Sequence, residues 1–341
     1  MGLVSNMRTV LFQISPLILI TSILSISTYL FASLYSVSHL SFEGWANRVI
    51  YFPILFFLCF IVTGIIESFF ALSDFIDPKN GQVNIRDLWK ETLFKLNPWS
   101  GVVVSSLMGL GIIGCANLAE IYRTITVVWY DNILWTIEKP LFVKLIGSWV
   151  DVPELWDHVY FSLWVFVFIS MAIVYRFCPL QRFVQVAMAV VIAFYITRCS
   201  NLLFPTAGPA FYNSELFNLA GTHCAKMQQL LRLYMDGQVT QNGLMPGTMA
   251  MPSLHVGLMG IAVWQLAHIW RRTLWVTIPW FLMVWMSTVM LGWHYVLDGI
   301  GGIIVIAIAM LIARIIFCVW SFFGVRGFPL RNLASQNKSA A

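Results

Sequence analysis

Three short strings carry the side chains best suited to chemistry. They are Phe204-Pro205-Thr206-Ala207-Gly208-Pro209-Ala210-Phe211-Tyr212, then Met251-Pro252-Ser253-Leu254-His255, then Trp293-His294-Tyr295-Val296-Leu297-Asp298. In the last string His294 and Asp298 are four apart, which on a helix places them on one face. A carboxylate there can hold one imidazole nitrogen protonated and leave the other free to attack. In the second string Pro252 suits a first helical position, so the free N–H groups near Ser253 and Leu254 would favour an anion. His255 then lies beside that anion, where it can protonate a leaving oxygen. In the first string Thr206 to Pro209 reads as a tight turn whose Gly208 permits backbone approach to a ligand, although a loop that simply turns reads the same way. Arg198, a few residues upstream, suits either a phosphate contact or a headgroup anchor. A lone histidine at a membrane boundary is more often a packing residue; two of them with a helix-spaced aspartate on one expected surface favour function. His39, His158, His223 and His268 lack such a setting and read as structural or solvated.

The elements that must position these residues are membrane spans. Only 10% of the 341 residues are charged and 59% are hydrophobic, more apolar surface than one soluble core can hide. Eight apolar stretches approach or exceed the roughly 20 residues that cross about 30 Å of hydrocarbon. They are Thr9 to Leu34, Val49 to Leu72, Gly101 to Ala119, His158 to Tyr175, Phe183 to Thr197, Leu254 to Trp270, Leu274 to Leu291 and Gly299 to Trp320. The expected fold is therefore all-α, a polytopic transmembrane helix bundle, since only helices or closed barrels satisfy their backbone in lipid and these runs are too long for barrel strands. The third stretch is rich in Gly, Ser and Ala, which suits close packing inside a bundle. The first reads as an anchor and not a removed signal peptide.

Charge fixes the expected orientation. With the N-terminus in the cytoplasm, the 20 basic residues divide 13 inside to 7 outside, as the positive-inside rule requires. The sharpest markers are two short turns, Arg176 with Arg182 and the pair Arg271-Arg272. Both termini then face the cytoplasm, and the three strings meet at the periplasmic, extracellular or lumenal face. The net charge of +5 is spread over cytoplasmic loops, so no nucleic-acid partner is implied.

Two outer segments interrupt the spans. Glu120 to Asp157, with six acidic and three basic residues among several tryptophans, reads as a headgroup-level segment. Arg198 to Ala250 reads as a turn-rich loop with one short helix around Ala225 to Met235. On the inner side, Ile85 to Phe94 reads as amphipathic, and the tail after Phe328 as polar and disordered. Cys59, Cys115, Cys178 and Cys318 read as packing residues. Cys199 and Cys224 fall on the outer side, where a bond between them would close a loop of roughly 25 residues worth ~3 kcal/mol; two free thiols are the alternative.

The strings resemble those of the type 2 phosphatidic acid phosphatase superfamily. Pro252-Ser253-Leu254-His255 is similar to its Pro-Ser-Gly-His motif, with Leu254 for Gly. Ser287-Thr288, five residues, His294, three residues and Asp298 are similar to its Ser-Arg…His…Asp motif, with Thr288 for Arg. Arg198 and Pro205 do not reproduce its Lys and Arg-Pro motif. The resemblance is closer to the branch of fungal inositol phosphorylceramide synthase, in the Pro-Ser-Leu-His form, the Ser-Thr pair and a Gly-Pro-rich first motif. It covers roughly Val150 to Trp320.

This resemblance implies a six-helix catalytic core in which His294 is a nucleophile forming a phosphohistidine, Asp298 orients it and His255 is the general acid. It divides the chain into N-terminal helices with a cytoplasmic loop (1–100), a catalytic membrane domain (101–320) and a cytoplasmic tail (321–341). The expected phosphate-binding residues are Arg198, Ser253, Leu254 and Thr288, and the expected substrate loop holds Pro205, Thr206, Gly208 and Pro209. No metal or cofactor is expected. The implied partners are membrane lipids, a phospholipid donor and a lipid alcohol acceptor. With Thr288 in place of a cation and no Arg-Pro, the site suits the single charge of a phosphodiester, hence a transferase; the alternative is a lipid phosphatase that recruits Lys226 or Arg232. Rivals of another class are a transporter, which would place polar residues near the midplane, and a zinc site built on two histidines and an aspartate.

Overall fold

The computed structural model describes residues 2–35, 46, 49–71, 98–115, 118, 129–149, 152–235 and 250–327. The amphipathic stretch expected at Ile85 to Phe94 and the tail after Phe328 lie outside the described residues. All the regular elements are helices: α1 (Gly2–Leu34), α2 (Tyr51–Phe70), α3 (Pro98–Gly114), α4 (Asp131–Trp149), α5 (Pro153–Phe177), α6 (Leu180–Leu203), α7 (His223–Met235), α8 (Leu254–Ile269), α9 (Leu274–Met290) and α10 (Val296–Gly327). Short turns at Pro209–Tyr212, Ser214–Leu216 and Arg271–Thr273 join some of them. Among the described residues, six helices are long and apolar enough to cross a membrane, namely α1 from Thr9, α2, α5, α6, α9 with its leading turn, and α10; α3 and α8 are apolar but shorter. The all-α membrane bundle is thus observed, with two of the eight expected spans falling short of the length of the rest.

The bundle is organised around α6. Phe183 to Ala193 is almost continuously buried, and α6 packs against α1, α3 and α10. α8 sits between α5, α9 and α10. By contrast α1, α2, α9 and α10 expose large apolar side chains such as Ile26, Ile65, Val276 and Leu311, a pattern that is stable only where hydrocarbon is the solvent. The small residues of α3 do what their size suggests, seating Gly101 against Phe56, Gly109 against Phe52 and Gly111 against Val191.

At one end of the bundle Arg176 is not simply a solvated topological charge. Its guanidinium donates to Glu67 Oε2 and to the Phe60 carbonyl, both at 2.9 Å, and lies over the Phe60 ring, pinning α2 to α5. Arg182 donates to Gln265 Oε1 at 2.9 Å and ties α6 to α8. Arg271 and Arg272 are exposed at the α8–α9 turn.

The opposite end holds the three strings, and one helix crossing brings two of them together. Where α8 meets α10, a Cβ on Gly302 would collide with the Ser253 carbonyl oxygen, and one on Gly257 would lie 2.9 Å from the Gly302 carbonyl oxygen. The absence of side chains lets the backbones approach until Ser253 N donates to the Asp298 carbonyl at 2.8 Å. Gly260 on the same helix has only ordinary contact, with a Phe281 ring carbon 4.0 Å from its would-be Cβ.

These two glycines give a matched test. Gly302→Ala should cost about 1–3 kcal/mol through overpacking and abolish the Ser253–Asp298 contact. Gly260→Ala should be neutral or stabilise slightly, because alanine favours a helix by about 1 kcal/mol. Thermal unfolding of both purified variants decides; equal midpoints would show that the crossing is not closely constrained.

Candidate active site

His294 is not on a helix but in the turn before α10, which begins at Val296. It is 5% exposed, and Thr288 O accepts its backbone N–H and that of Trp293. Its Nδ1 lies 2.8 Å from the Ala250 carbonyl oxygen and 3.5 Å from Asp298 Oδ2. The hydrogen bond therefore goes to Ala250, and Asp298 stands beside it; the helical-face geometry expected for this pair is corrected accordingly. Asp298 Oδ2 instead accepts the Tyr295 N–H at 2.7 Å, capping the first turn of α10. Burial pulls the His294 imidazole down to about 4, opposed by the hydrogen bond to Ala250, so the ring is neutral at neutral pH.

A carbonyl can only accept, so Nδ1 of His294 carries the hydrogen and the lone pair sits on Nε2. His255 Nδ1 lies 2.9 Å from that Nε2, which makes Nδ1 of His255 a donor. Its own Nε2 then accepts from the Tyr160 hydroxyl at 2.8 Å. One backbone carbonyl thus sets the direction of a chain of three hydrogen bonds. Tyr160 went unnoticed in the sequence because it lies within an apolar span with no motif around it. Its ring stacks on Trp293, with centroids 6.0 Å apart.

His255 and His294 open onto a cavity of about 570 Å³, whose wall also includes Arg198, Asn201, Ala207, Leu254 and many apolar side chains. Arg198 is the only Lys or Arg on that wall among the described residues. Arg232, the rival cation, turns elsewhere: it donates to the Ala210 carbonyl at 2.5 Å and lies over the Phe211 ring.

The remaining expected site residues hold the site together more than they line it. Pro252 precedes the α8 N-cap, which is Ser253; Ser253 Oγ accepts from Val256 N, and its own N–H is taken by Asp298 O. The amides with no acceptor within the helix are therefore those of its first turn, Leu254 and His255. Thr288 is fully buried and its hydroxyl donates to the Trp285 carbonyl, which turns it away from the cavity. Thr206, also fully buried, uses its carbonyl and Oγ1 to accept the N–H groups of Ala250 and Met251. Pro205 O accepts from Tyr130 N, and Pro209 opens the short Pro209–Tyr212 turn. Gly208, at φ 104°, approaches the Trp293 carbonyl, 2.6 Å from a would-be Cβ, so the close approach it makes within the protein is to backbone. Of the two alternatives left open for Cys199 and Cys224, the structure has free thiols, and Cys224 is buried with Sγ accepting from Trp293 Nε1.

Two carboxylates missed in the sequence brace all of this. Asp131 and Glu138 lie seven apart on α4, hence on one helical face, in the segment read as headgroup-level filler. Asp131 accepts from Ala207 N, Gly208 N and the Tyr295 hydroxyl. Glu138 accepts from Val296 N at 2.7 Å and Leu297 N at 2.9 Å, satisfying the open amides of α10 where a helix favours negative charge. Burial raises both carboxyls, against the lowering effect of these amides. Their spacing was the available signal, since two acids on one face of an outer helix need partners if that face is buried.

Glu138→Gln should remove one of the two amide bonds, because the new NH2 group faces a donor. A lost buried partner costs about 1–3 kcal/mol, so the thermal midpoint of detergent-solubilised protein should fall. An unchanged midpoint would show that Glu138 does not secure α10.

No curated protein and no solved structure matches the chain. Residues 147–312 match the family model of the PAP2 superfamily, a segment that contains both histidines, Asp298, Arg198 and Tyr160 and excludes α1 to α3 and nearly all of α4. The match, the all-α membrane bundle and the paired histidines at one end of it support placing this part of the chain in the PAP2 superfamily.

Proposed function

We propose that this protein is a membrane lipid phosphotransferase that moves a phospho-headgroup from one lipid to another through a phosphohistidine on His294, in the manner of inositol phosphorylceramide synthase. A lipid phosphatase or phosphotransferase is the kind of activity that superfamily placement supports. The observation that carries the mechanism is the His294 Nδ1–H bond to Ala250, which commits the other nitrogen, Nε2, to the cavity as a lone pair. In the first step Nε2 attacks phosphorus and the bond from phosphorus to the leaving oxygen breaks. Phosphorus takes the place of the His255 contact, and His255 Nδ1–H turns to that oxygen and gives it a proton. For this His255 must first take up a second proton, on Nε2, and the Tyr160 hydroxyl, able to donate or accept, then turns from donor to acceptor. In the second step an alcohol attacks phosphorus, the P–N bond breaks, and His255 recovers its proton from the alcohol.

Transfer to a lipid alcohol is favoured over hydrolysis by the charge and polarity of the cavity. Arg198 and the first amides of α8 suit one negative charge, whereas a monoester near its dianion calls for more charge-assisted bonds. Water has few polar partners on the mostly apolar wall. The site is proposed to lie at the periplasmic, extracellular or lumenal face, with both termini cytoplasmic. That orientation rests on the Arg271-Arg272 turn at the other end of the bundle.

His294→Asn should lower turnover by several orders of magnitude with the fold intact, and Asp298→Asn should be milder, since Ala250 keeps hold of the ring. Activity of the parent should follow a bell-shaped pH profile, falling on the acid side toward about 4, where His294 takes up a proton, and on the alkaline side as His255 loses the second proton that the first step needs. Normal turnover in folded His294→Asn would end the phosphohistidine reading.

Substrate class is tested with purified protein given phosphatidic acid, or a glycerophospholipid together with ceramide or diacylglycerol. Headgroup transfer between lipids with little inorganic phosphate is the expected result. Rapid phosphate release without transfer would replace the transferase reading with a phosphatase.

A further inference from the structure

We infer that the cavity beneath His255 and His294 is a binding site for one hydrocarbon chain of the substrate lipid, and that the N-terminal helices, outside the family-matched segment, set its depth. This deepens the lipid reading above and rests on it for the identity of the ligand. The cavity is polar only near the histidines, Arg198 and Asn201; its remaining wall is apolar. α2 and α3 contribute Phe52, Leu55, Met108 and Ile112, while α5 and α6 contribute Met171 and Val190. Along α5 the wall runs from Tyr160 to Met171, which at 1.5 Å per residue is about 16 Å, or about half of a 30 Å hydrocarbon core. A chain lying there stays within the leaflet from which its headgroup comes.

Volume argues for one chain and not two. About 570 Å³, at roughly 30 Å³ for each water-sized unit, which is also about the size of a methylene group, is on the order of a single long chain. Entry is lateral. Tyr51 and Leu55 on α2 and Trp164 on α5 line the cavity and are also 54%, 40% and 39% exposed on the lipid-facing surface. A lipid can pass between α2 and α5 there with its phosphate at the histidines and its second chain left in the bilayer.

α2 and α5 also pack against each other, Phe52 meeting Phe168 on the cavity wall and Phe56 meeting Tyr175 further in. Side chains thus bound the chamber, and larger ones at Ile112 or Met108 on α3 should leave less room for a chain. Ile112 belongs to the wall of the chamber and to none of the groups that touch phosphorus.

The test uses full-length protein in nanodiscs and a phosphodiester glycerophospholipid with a diazirine at the end of one 16-carbon chain. After illumination, adducts should map to Met108, Ile112 or Met171. Adducts confined to outward-facing residues such as Ile65 and Val165 would overturn the inference, whatever the activity. Ile112→Trp, with Met108→Phe as a milder second variant, should lower adduct formation by the 16-carbon probe relative to an 8-carbon one by at least about tenfold. An unchanged ratio in both folded variants would also overturn it. Chamber adducts without any phosphoryl transfer would instead count against the enzymatic reading and leave the chain site standing, because adduct mapping needs no turnover.

Discussion

The hydrogen bond from His294 Nδ1 to the Ala250 carbonyl is the interaction on which the arrangement turns. An imidazole has two similar nitrogens, and only an obligate acceptor on one of them gives the other a fixed role. Ala250 is in a loop and cannot hold its carbonyl in place alone. Thr206 grips it from one side through two backbone N–H groups, and Asp131 grips the next residues of the Thr206 segment in turn. The tautomer of His294 is thus set by a relay that begins on a helix far away in sequence.

Membrane surroundings explain why so much of this relay is made of backbone amides and buried carboxylates. Near hydrocarbon an open helix terminus cannot count on water, and each orphan amide needs a protein acceptor. Glu138 and Asp298 supply three acceptor contacts to Tyr295, Val296 and Leu297, and Asp157 does the same for the start of α7 through His223 and Cys224. Asp298 consequently has two places in the structure: it closes the first turn of α10, and it stands 3.5 Å from the His294 imidazole.

Two regions of the chain divide the work. The family-matched segment holds the histidines and the glycine crossing that brings α8 onto α10. Outside it, α4 braces the site from the aqueous side, and α2 and α3 wall the apolar cavity from the membrane side. These flanking helices carry neither His255 nor His294.

Sequence patterning alone determined the helical membrane architecture, because apolar runs of span length have one stable solution in lipid. It also picked out His255 and His294, since ionisable groups at span ends stand out against a background with 10% charged residues, and it located the helix near Ala225, seen at His223–Met235. Partners were another matter. That Thr288 turns its hydroxyl to Trp285, that Gly208 meets the Trp293 backbone, and that Cys224 lies under an indole depend on helix rotations that periodicity does not fix to within a hydrogen bond. Asp131, Glu138 and Tyr160 acquire meaning only from groups 77, 158 and 95 residues away. A hydrogen bond is decided by tenths of an ångström and by direction, so its assignment belongs to the packed tertiary structure, whereas the choice of residues able to make it is already written in the chain.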